Sequence, residues 1–308
     1  MNGLVSIIMN CRNGGKYLRD SISSVKNQSY KNWELIFIDN FSTDNSKNIF
    51  QELKDSRMKY IHTPKPLNLG TARQEGLKNC KGEFIAFLDT DDLWMSNKIE
   101  NQIKLFSDLD VGMVISNTIF FSNTKEKVLY RKKPATGYVF NNLLKNYYIS
   151  LETLICRKSY MDDILFEFDS EFSMISDLDL ALRLSLVSKL EYSNEILAKW
   201  RVHKDSDSWK KKNIFHLEKL NLIEKISKIK TLQFSKDFIK TKKKFIDKVN
   251  TEIIIWNIEN GLPRNDIINF FYKKKNINVK SLLILFLIIF PFNKQLINIY
   301  RNFYNITP

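Results

Sequence analysis

This 308-residue chain predicts an α/β fold, a mostly parallel sheet with flanking helices, followed by a helical basic tail. Three observations predict it. Strand-period and helix-period segments alternate through the first 120 residues, which implies parallel strands joined by right-handed crossovers. One apolar run, Phe84-Ile85-Ala86-Phe87-Leu88, ends in Asp89, Asp91 and Asp92, three carboxylates within four residues. Charge is unevenly divided: of the formal +14, residues 210–308 hold 20 Lys/Arg against 7 Asp/Glu, while residues 1–209 are nearly balanced.

Each element follows from its pattern. Val5–Asn10 is a continuous apolar run, as expected of a strand buried on both faces. Tyr17–Asn27 is helical, with Leu18, Ile22 and Val25 on one face. Glu34–Asp39 is the second strand, and Asp44–Leu53 a helix with Thr43 at its N-cap. Met58–His62 is a short third strand, Thr71–Asn79 a helix, Glu83–Asp89 the fourth strand and Asn97–Phe106 the helix after it. Val111–Ile119 is a further strand. Residues 120–209 are less regular. Leu151–Arg157 reads as a strand, and Leu178–Val187 as a helix because Leu178, Leu182 and Leu186 recur at helical spacing.

From about residue 213 the pattern turns helical and lysine-rich, with Ile214, Leu217, Leu220, Ile223 and Ile226 as an apolar stripe. The expected division is therefore 1–209 and 210–308. Within the second part, Leu282–Phe290 is an apolar run well short of the ~20 residues a spanning helix needs. Lys280 and Lys294 flank it, so the segment 279–292 is expected to lie in a membrane interface, with burial in a core or between two copies as the alternative. The tail's excess charge points to an anionic membrane surface and not to nucleic acid.

Composition sets further bounds. A hydrophobic content of 44% supports a large core. Cys11, Cys80 and Cys156 show no CxxC spacing, so a reducing compartment is expected, without a disulfide framework or zinc site. No basic stretch or cleavage site precedes the first strand, and no signal peptide is expected.

The chemistry concentrates at strand ends. These are Asn10 to Asn13 with Gly14-Gly15 behind, Asp39 to Asp44, and Asp89 to Asp92. In a parallel sheet all three open on the edge where ligands bind. Carboxylates so crowded repel one another unless a cation or a proton relieves them. Their oxygens suit Mg²⁺ or Mn²⁺, which in turn bind phosphates. The plain alternative is a solvated turn, with Asp92 capping a helix from about Ser96. No GxGxxG follows the first strand and no P-loop is present, which argues against a dehydrogenase and an NTPase.

Six segments carry a resemblance. They are Val5–Asn13 (VSIIMNCRN), Leu35–Asp44 (LIFIDNFSTD), Asn68–Arg73 (NLGTAR), Gly82–Asp92 (GEFIAFLDTDD), Ser176–Arg183 (SDLDLALR) and Trp200–His203 (WRVH). In this order, over residues 4–209, they resemble glycosyltransferase family 2, which has the GT-A nucleotide-sugar fold. The resemblance implies metal-dependent, inverting transfer of a sugar from a nucleotide-sugar, a UDP-sugar by preference, to a glycan or lipid-linked acceptor. The implied setting is surface polysaccharide or lipooligosaccharide synthesis, on the inner face of the cell membrane, with a homo-oligomer as an open possibility.

It also implies roles. Asp39 would hydrogen-bond the pyrimidine, while Asn13 and Arg73 would support the nucleotide. Asp89 would contact the ribose or the metal, and Asp91 would be the principal Mn²⁺ or Mg²⁺ carboxylate. Asp177 would be the catalytic base, and His203 would face the metal or the diphosphate. Each residue also has a plain reading: Asp177 as a helix cap, Arg73 and the Asp179–Arg183 pair as ordinary ion pairs, His203 as a surface histidine. Three positions depart from the family's usual pattern: Arg12 stands for Tyr, Asn40-Phe41 for Asp-Gly, and Ser176 for Glu. A sugar-nucleotide pyrophosphorylase-like enzyme and an inactive scaffold of the same fold are the alternatives. The first lacks the Gly-rich, Lys/Arg-bearing opening loop, and the second would have no use for the three carboxylates.

Overall fold

The computed structural model describes residues 2–122, 124–203 and 212–260. The segment 279–292 therefore lies outside the described residues. Two compact units divide the chain, Met1–Lys210 and Lys211–Pro308.

The first unit is a mixed sheet flanked by helices. Its strands are β1 Val5–Cys11, β2 Trp33–Asp39, β3 Met58–His62, β4 Phe84–Phe87, β5 Leu93–Trp94, β6 Val111–Phe121, β7 Glu126–Val128, β8 Ile155–Arg157 and β9 Lys189–Arg201. Its helices are α1 Gly15–Lys26, α2 Ser46–Leu53, α3 Leu69–Lys78, α4 Lys98–Ile103, α5 Phe140–Lys145, α6 Lys158–Asp163 and α7 Ser176–Leu184. The strand order is β3-β2-β1-β4-β8-β6-β9-β5, with β7 on β6. The long ladders, β1 with β2 and β6 with β9, are parallel, and the antiparallel pairings are short.

Register decides where the site forms. Cys11 pairs with Asp39, and Asp39 with His62, so β1, β2 and β3 end level at one edge. Ile8 pairs with Phe87, which brings Asp89 to the same edge just past β4. The central strands are apolar on both faces because helices cover both. Leu18, Ile22 and Val25 of α1 and Ile49 and Phe50 of α2 are buried. Phe37, Phe50 and Tyr60 stack with centroids 4.6–5.8 Å apart. Each fully buried ring here is worth about 1.5–3 kcal/mol.

The strand that closes the site was read only as irregular chain. β9 pairs with β6, and its Ala198 and Lys199 pair with Trp94 and Leu93 of β5. That short pairing ties the chain just after the acidic triplet to β9 and carries Arg201 and His203 to the same edge. Other boundaries shift. The expected strand Glu83–Asp89 is only Phe84–Phe87, because the backbone turns once Leu88 has bonded to Ile8. Within Leu151–Arg157 the first three residues form a 3-10 turn and only Ile155–Arg157 is strand. Thr43 does not cap α2. Asn45 holds the cap position, and the Asp44 carboxylate accepts from the Ser46 N–H and hydroxyl instead. Asp92 caps no helix either: α4 begins at Lys98 behind Asn97.

Lys98 is fully buried, its Nζ 4.2 Å over the Trp94 ring, with no hydrogen-bond partner among the described residues. Burial pulls its pKa down from 10.5 to about 7, against the opposing charge of Glu152. Across that window the unfolded state binds the extra proton, so stability rises with pH from about 7 to 10.5. Lys98→Met should flatten this rise and lift the melting temperature at pH 7 and below. An unchanged pH slope in the variant would show that the ammonium is solvated.

In the second unit, α8 Lys212–Ile226, α9 Lys230–Gln233 and α10 Lys236–Glu259 are the described helices. The buried side of α8 carries Leu222, Ile223 and Ile226, while Leu217 of the expected stripe is 62% exposed. The inward face runs along 219, 222, 223 and 226, the i, i+3, i+4, i+7 spacing, and this leaves Ile214 and Leu217 off it. Glu252 of α10 is bonded to Lys219 (3.0 Å) of α8 and lies 3.2 Å from His216 Nδ1. Burial alone would raise that carboxyl, but its neighbours His216 and Lys219 hold it at about 2. No helix among the described residues is long and apolar enough to cross a membrane.

Candidate active site

The acidic triplet splits by function. Asp92 turns inward, buried, and its Oδ1 accepts the Arg201 N–H at 2.8 Å. Burial, then the charges of Glu152, Asp91 and Asp89, push its carboxyl well up. It is a structural bolt between the acidic loop and β9. Asp91 and Asp89 point the other way. Asp91 Oδ2 lies 2.8 Å from His203 Nε2, and Arg201 Nε donates to the Asp91 carbonyl at 2.8 Å. The Arg201 guanidinium is sandwiched between Tyr17 (4.3 Å) and Phe121 (4.5 Å), which fixes the clamp on the loop backbone.

Asp89 is 43% exposed at the crevice. Desolvation by the crevice walls raises its pKa; Arg73 opposes this, and Asp91 and Asp177 add to the rise. Arg73 rises from α3, almost fully buried, and reaches two ways. Its Nη1 donates to Ser176 Oγ at 2.6 Å, and its Nη2 stands 3.6 Å from Asp89 Oδ1. One guanidinium thus joins the acidic loop to the start of α7.

Asp177 sits in the first turn of α7, where the helix end favours a carboxylate. Ile175 holds the cap position, so Asp177 is not the cap. Its Oδ2 accepts from the Tyr147 hydroxyl at 2.9 Å. Burial, then the Asp177 charge and hydrogen bond, raise the pKa of that phenol, which stays a donor. Asp179, by contrast, forms the helix pair with Arg183 at 2.7 Å.

Asn13 and Asp39 stand at the ends of β1 and β2. Asn13 adopts a left-handed backbone (φ 56), which Asn tolerates. Its Oδ1 accepts the Thr43 N–H at 2.8 Å, and its own N–H donates to Ser42 Oγ. Gly14 lets this turn meet the acidic loop, since a Cβ there would stand 2.6 Å from Thr90 Oγ1. Asp39 is buried. Its Oδ1 accepts the Ser42 N–H at 2.9 Å, its Oδ2 accepts the Tyr60 hydroxyl, and His62 Nδ1 is 3.7 Å away. Contact with a ligand would use the remaining lone pairs of these oxygens.

Among the described residues no cluster of three or more His, Cys, Asp or Glu side chains could hold a metal ion by itself. The Asp91–His203 pair, 2.8 Å apart, could supply two protein ligands, the number Mg²⁺ commonly takes before substrate phosphates and water complete its shell.

The sequence profile of glycosyl transferase family 2 matches residues 6–162, half of the chain. The chain belongs to glycosyl transferase family 2. Among its relatives, WfgD of Escherichia coli, named as a UDP-Glc:alpha-D-GlcNAc-diphosphoundecaprenol beta-1,3-glucosyltransferase, is 34% identical over 165 residues. That match covers 54% of this chain and 64% of WfgD, so the chain spans just under two thirds of that relative's length. In fold it is similar to S. aureus TarS in complex with UDP-GlcNAc, with a TM-score of 0.63 at 13% identity, covering 91% of this chain and 78% of TarS. It is also similar to a Pyrobaculum calidifontis mannosyltransferase in complex with GDP-Man and Mn²⁺ (TM-score 0.58, 12% identity, 99% and 88% covered).

Within family 2 the departures now have structural counterparts. Ser176 offers Arg73 a neutral acceptor, so the guanidinium charge is directed at Asp89. Asn40 staples the turn after β2 to the chain before α3, accepting the Leu67 N–H at 2.7 Å and donating to the Leu67 carbonyl at 2.8 Å. Three contributors went unread in the sequence. Arg201 lay inside a quoted motif without a role. Tyr147 and Tyr60 carry no local signal, because their partners Asp177 and Asp39 are distant in sequence.

Proposed function

We propose that this family 2 chain transfers one sugar, with inversion, from a UDP-sugar to a hydroxyl of a lipid-linked glycan. The observation that carries the reading is the link that Arg73 makes between two groups at one sheet edge. Asp91 of the acidic loop meets His203, just past β9, and Asp177 of α7 meets Tyr147, just past α5, with Arg73 joining the acidic loop to α7.

Asp91 and His203 would hold a Mn²⁺ or Mg²⁺ ion, which would supply positive charge against the charge growing on the diphosphate leaving group. Asp89, steadied by Arg73, would take the ribose. Asn13, Ser42 and Thr43 present a hydrogen-bonded turn to the nucleotide. On the far face of the sugar, Asp177 removes the acceptor hydroxyl's proton, with Tyr147 holding Oδ2 and leaving Oδ1 for that transfer. One base on the face opposite the leaving group suffices for inversion, and no covalent nucleophile is needed. The WfgD likeness supports a lipid-linked diphosphate acceptor, and the TarS likeness a UDP-sugar. The Mn²⁺ in the mannosyltransferase complex supports a metal-dependent crevice.

A nucleotide-release assay tests the reading, with a panel of UDP-sugars, Mn²⁺ and a GlcNAc-diphospho-lipid acceptor. Release should depend on the acceptor and on one donor sugar. Release of pyrophosphate from UTP and a sugar phosphate would instead identify a pyrophosphorylase, and UDP binding without any turnover would identify a scaffold.

The basic second unit would hold the enzyme at the membrane carrying that acceptor, on its cytoplasmic face. Residues 210–308 supply nearly all of the net charge, and each basic residue near an anionic surface is worth roughly 1 kcal/mol. The full chain should co-sediment with anionic liposomes at low salt and be largely released as ionic strength rises. Equal recovery on neutral and anionic liposomes would remove the electrostatic part of this reading.

A further inference from the structure

The turn after β2 holds a feature that the transfer reading leaves unused. Phe41 has a left-handed backbone (φ 60), which a bulky side chain rarely adopts. Its ring is nevertheless 41% exposed, whereas Phe37 and Phe50 close by are fully buried. Backbone strain and an uncovered aromatic ring therefore coincide in one residue, and strain of this kind collects at binding sites.

The turn that carries the ring is rigid. The Phe41 N–H donates to the Asp39 carbonyl at 2.9 Å, the Ser42 N–H to the Asp39 carboxylate, and Asn40 is bonded to Leu67. The ring is backed by His62, half-exposed at the end of β3, with centroids 6.3 Å apart and planes 23° apart. Asp39 lies behind both, 3.7 Å from His62 Nδ1. A flat apolar face is thus mounted at the same sheet edge as the acidic loop.

Position selects the ligand. In the order β3-β2-β1-β4, the strand that ends at Phe41's turn lies two strands, or about 10 Å at 4.7–4.9 Å per strand, from the strand that ends at the acidic loop. A ribose and a diphosphate bridge such a gap, with the Asn13–Gly15 turn of β1 between the two ends. We propose that Phe41, backed by His62, is the face on which the nucleobase of the donor stacks. The proposal deepens the transferase reading and rests on it. Stacking uses the π-face that every base presents, so Phe41 supplies affinity more than base selectivity.

Calorimetric titration of UDP in the presence of Mn²⁺ tests it on the full chain, with thermal unfolding measured in parallel. Phe41→Gly suits the left-handed backbone, so the variant should melt no lower than wild type. Its UDP affinity should fall about 5- to 100-fold, the range that aromatic–base stacking supports. Phe41→Trp should keep affinity within a few-fold of wild type. Equal UDP affinity in wild type and Phe41→Gly would overturn the proposal and leave the transferase reading standing. Loss of affinity in both variants alike would overturn it too, by showing that the turn and not the ring holds the nucleotide. Wild-type protein that binds no nucleotide would overturn the transferase reading itself.

Discussion

Replacing Asp177 with Asn should slow sugar transfer on the order of 10²- to 10⁴-fold, the usual scale for losing a general base. The substitution conserves size and leaves an oxygen that still accepts from Tyr147, so α7 and its link to Arg73 should stand unchanged. Donor affinity should be nearly intact, because the leaving-group side of the crevice is built from other elements. The companion variant Tyr147→Phe removes one hydrogen bond to the base and should lower kcat about tenfold at unchanged donor KM. Steady-state kinetics with varied donor separate these outcomes. An Asp177→Asn enzyme that loses donor affinity but keeps its turnover would make Asp177 a binding residue.

Asp91→Ala should lower transfer on the order of 10³-fold or more, since it removes charge stabilisation at the leaving group. The same loss should appear in the parent enzyme on chelation and be reversed by Mn²⁺ or Mg²⁺. His203→Ala should be milder and shift the metal dependence to higher concentration, because one of two protein ligands remains. The fold should survive all three conditions, as Asp92 and not Asp91 bolts the loop to β9. Full activity in chelator without added metal would reduce Asp91–His203 to an ordinary ion pair.

How far the sequence could be read follows from how local each signal was. Strands β1 and β2 were legible because the short apolar stretches Ile7–Met9 and Leu35–Ile38 stand before polar turns. Helices α1 and α2 were legible because their apolar faces recur at helical spacing, whereas α3 buries Gly70, Ala72, Arg73 and Gly76 and shows no such face. Strand β9 was not: Ser193, Asn194 and Glu195 interrupt its alternation, and its long pairing with β6 carries register shifts. The two-residue β5 has no signal of its own and exists only through β9. The same rule governs the site. Asp89 and Asp91 announced themselves by clustering at a strand end. The contacts Arg73–Ser176, Asp91–His203 and Tyr147–Asp177 join residues 30 to 112 positions apart, and no local pattern encodes them. For the first two, the motifs Asn68–Arg73, Ser176–Arg183 and Trp200–His203 supplied the residues. For Tyr147 nothing did. Two departures, in Ser176–Arg183 and Leu35–Asp44, became intelligible only as geometry, with Ser176 as Arg73's neutral acceptor and Phe41 as a strained, exposed ring.

The central claim is that Asp91 and His203 mark a metal-assisted diphosphate site in the crevice. The most direct measurement is a calorimetric titration of UDP into the full chain, with Mn²⁺ and again in chelator, on wild type and Asp91→Ala. The account predicts UDP binding by wild type with Mn²⁺, at least tenfold weaker binding in chelator, and no gain from Mn²⁺ in Asp91→Ala. UDP binding of equal strength in all four titrations would contradict it.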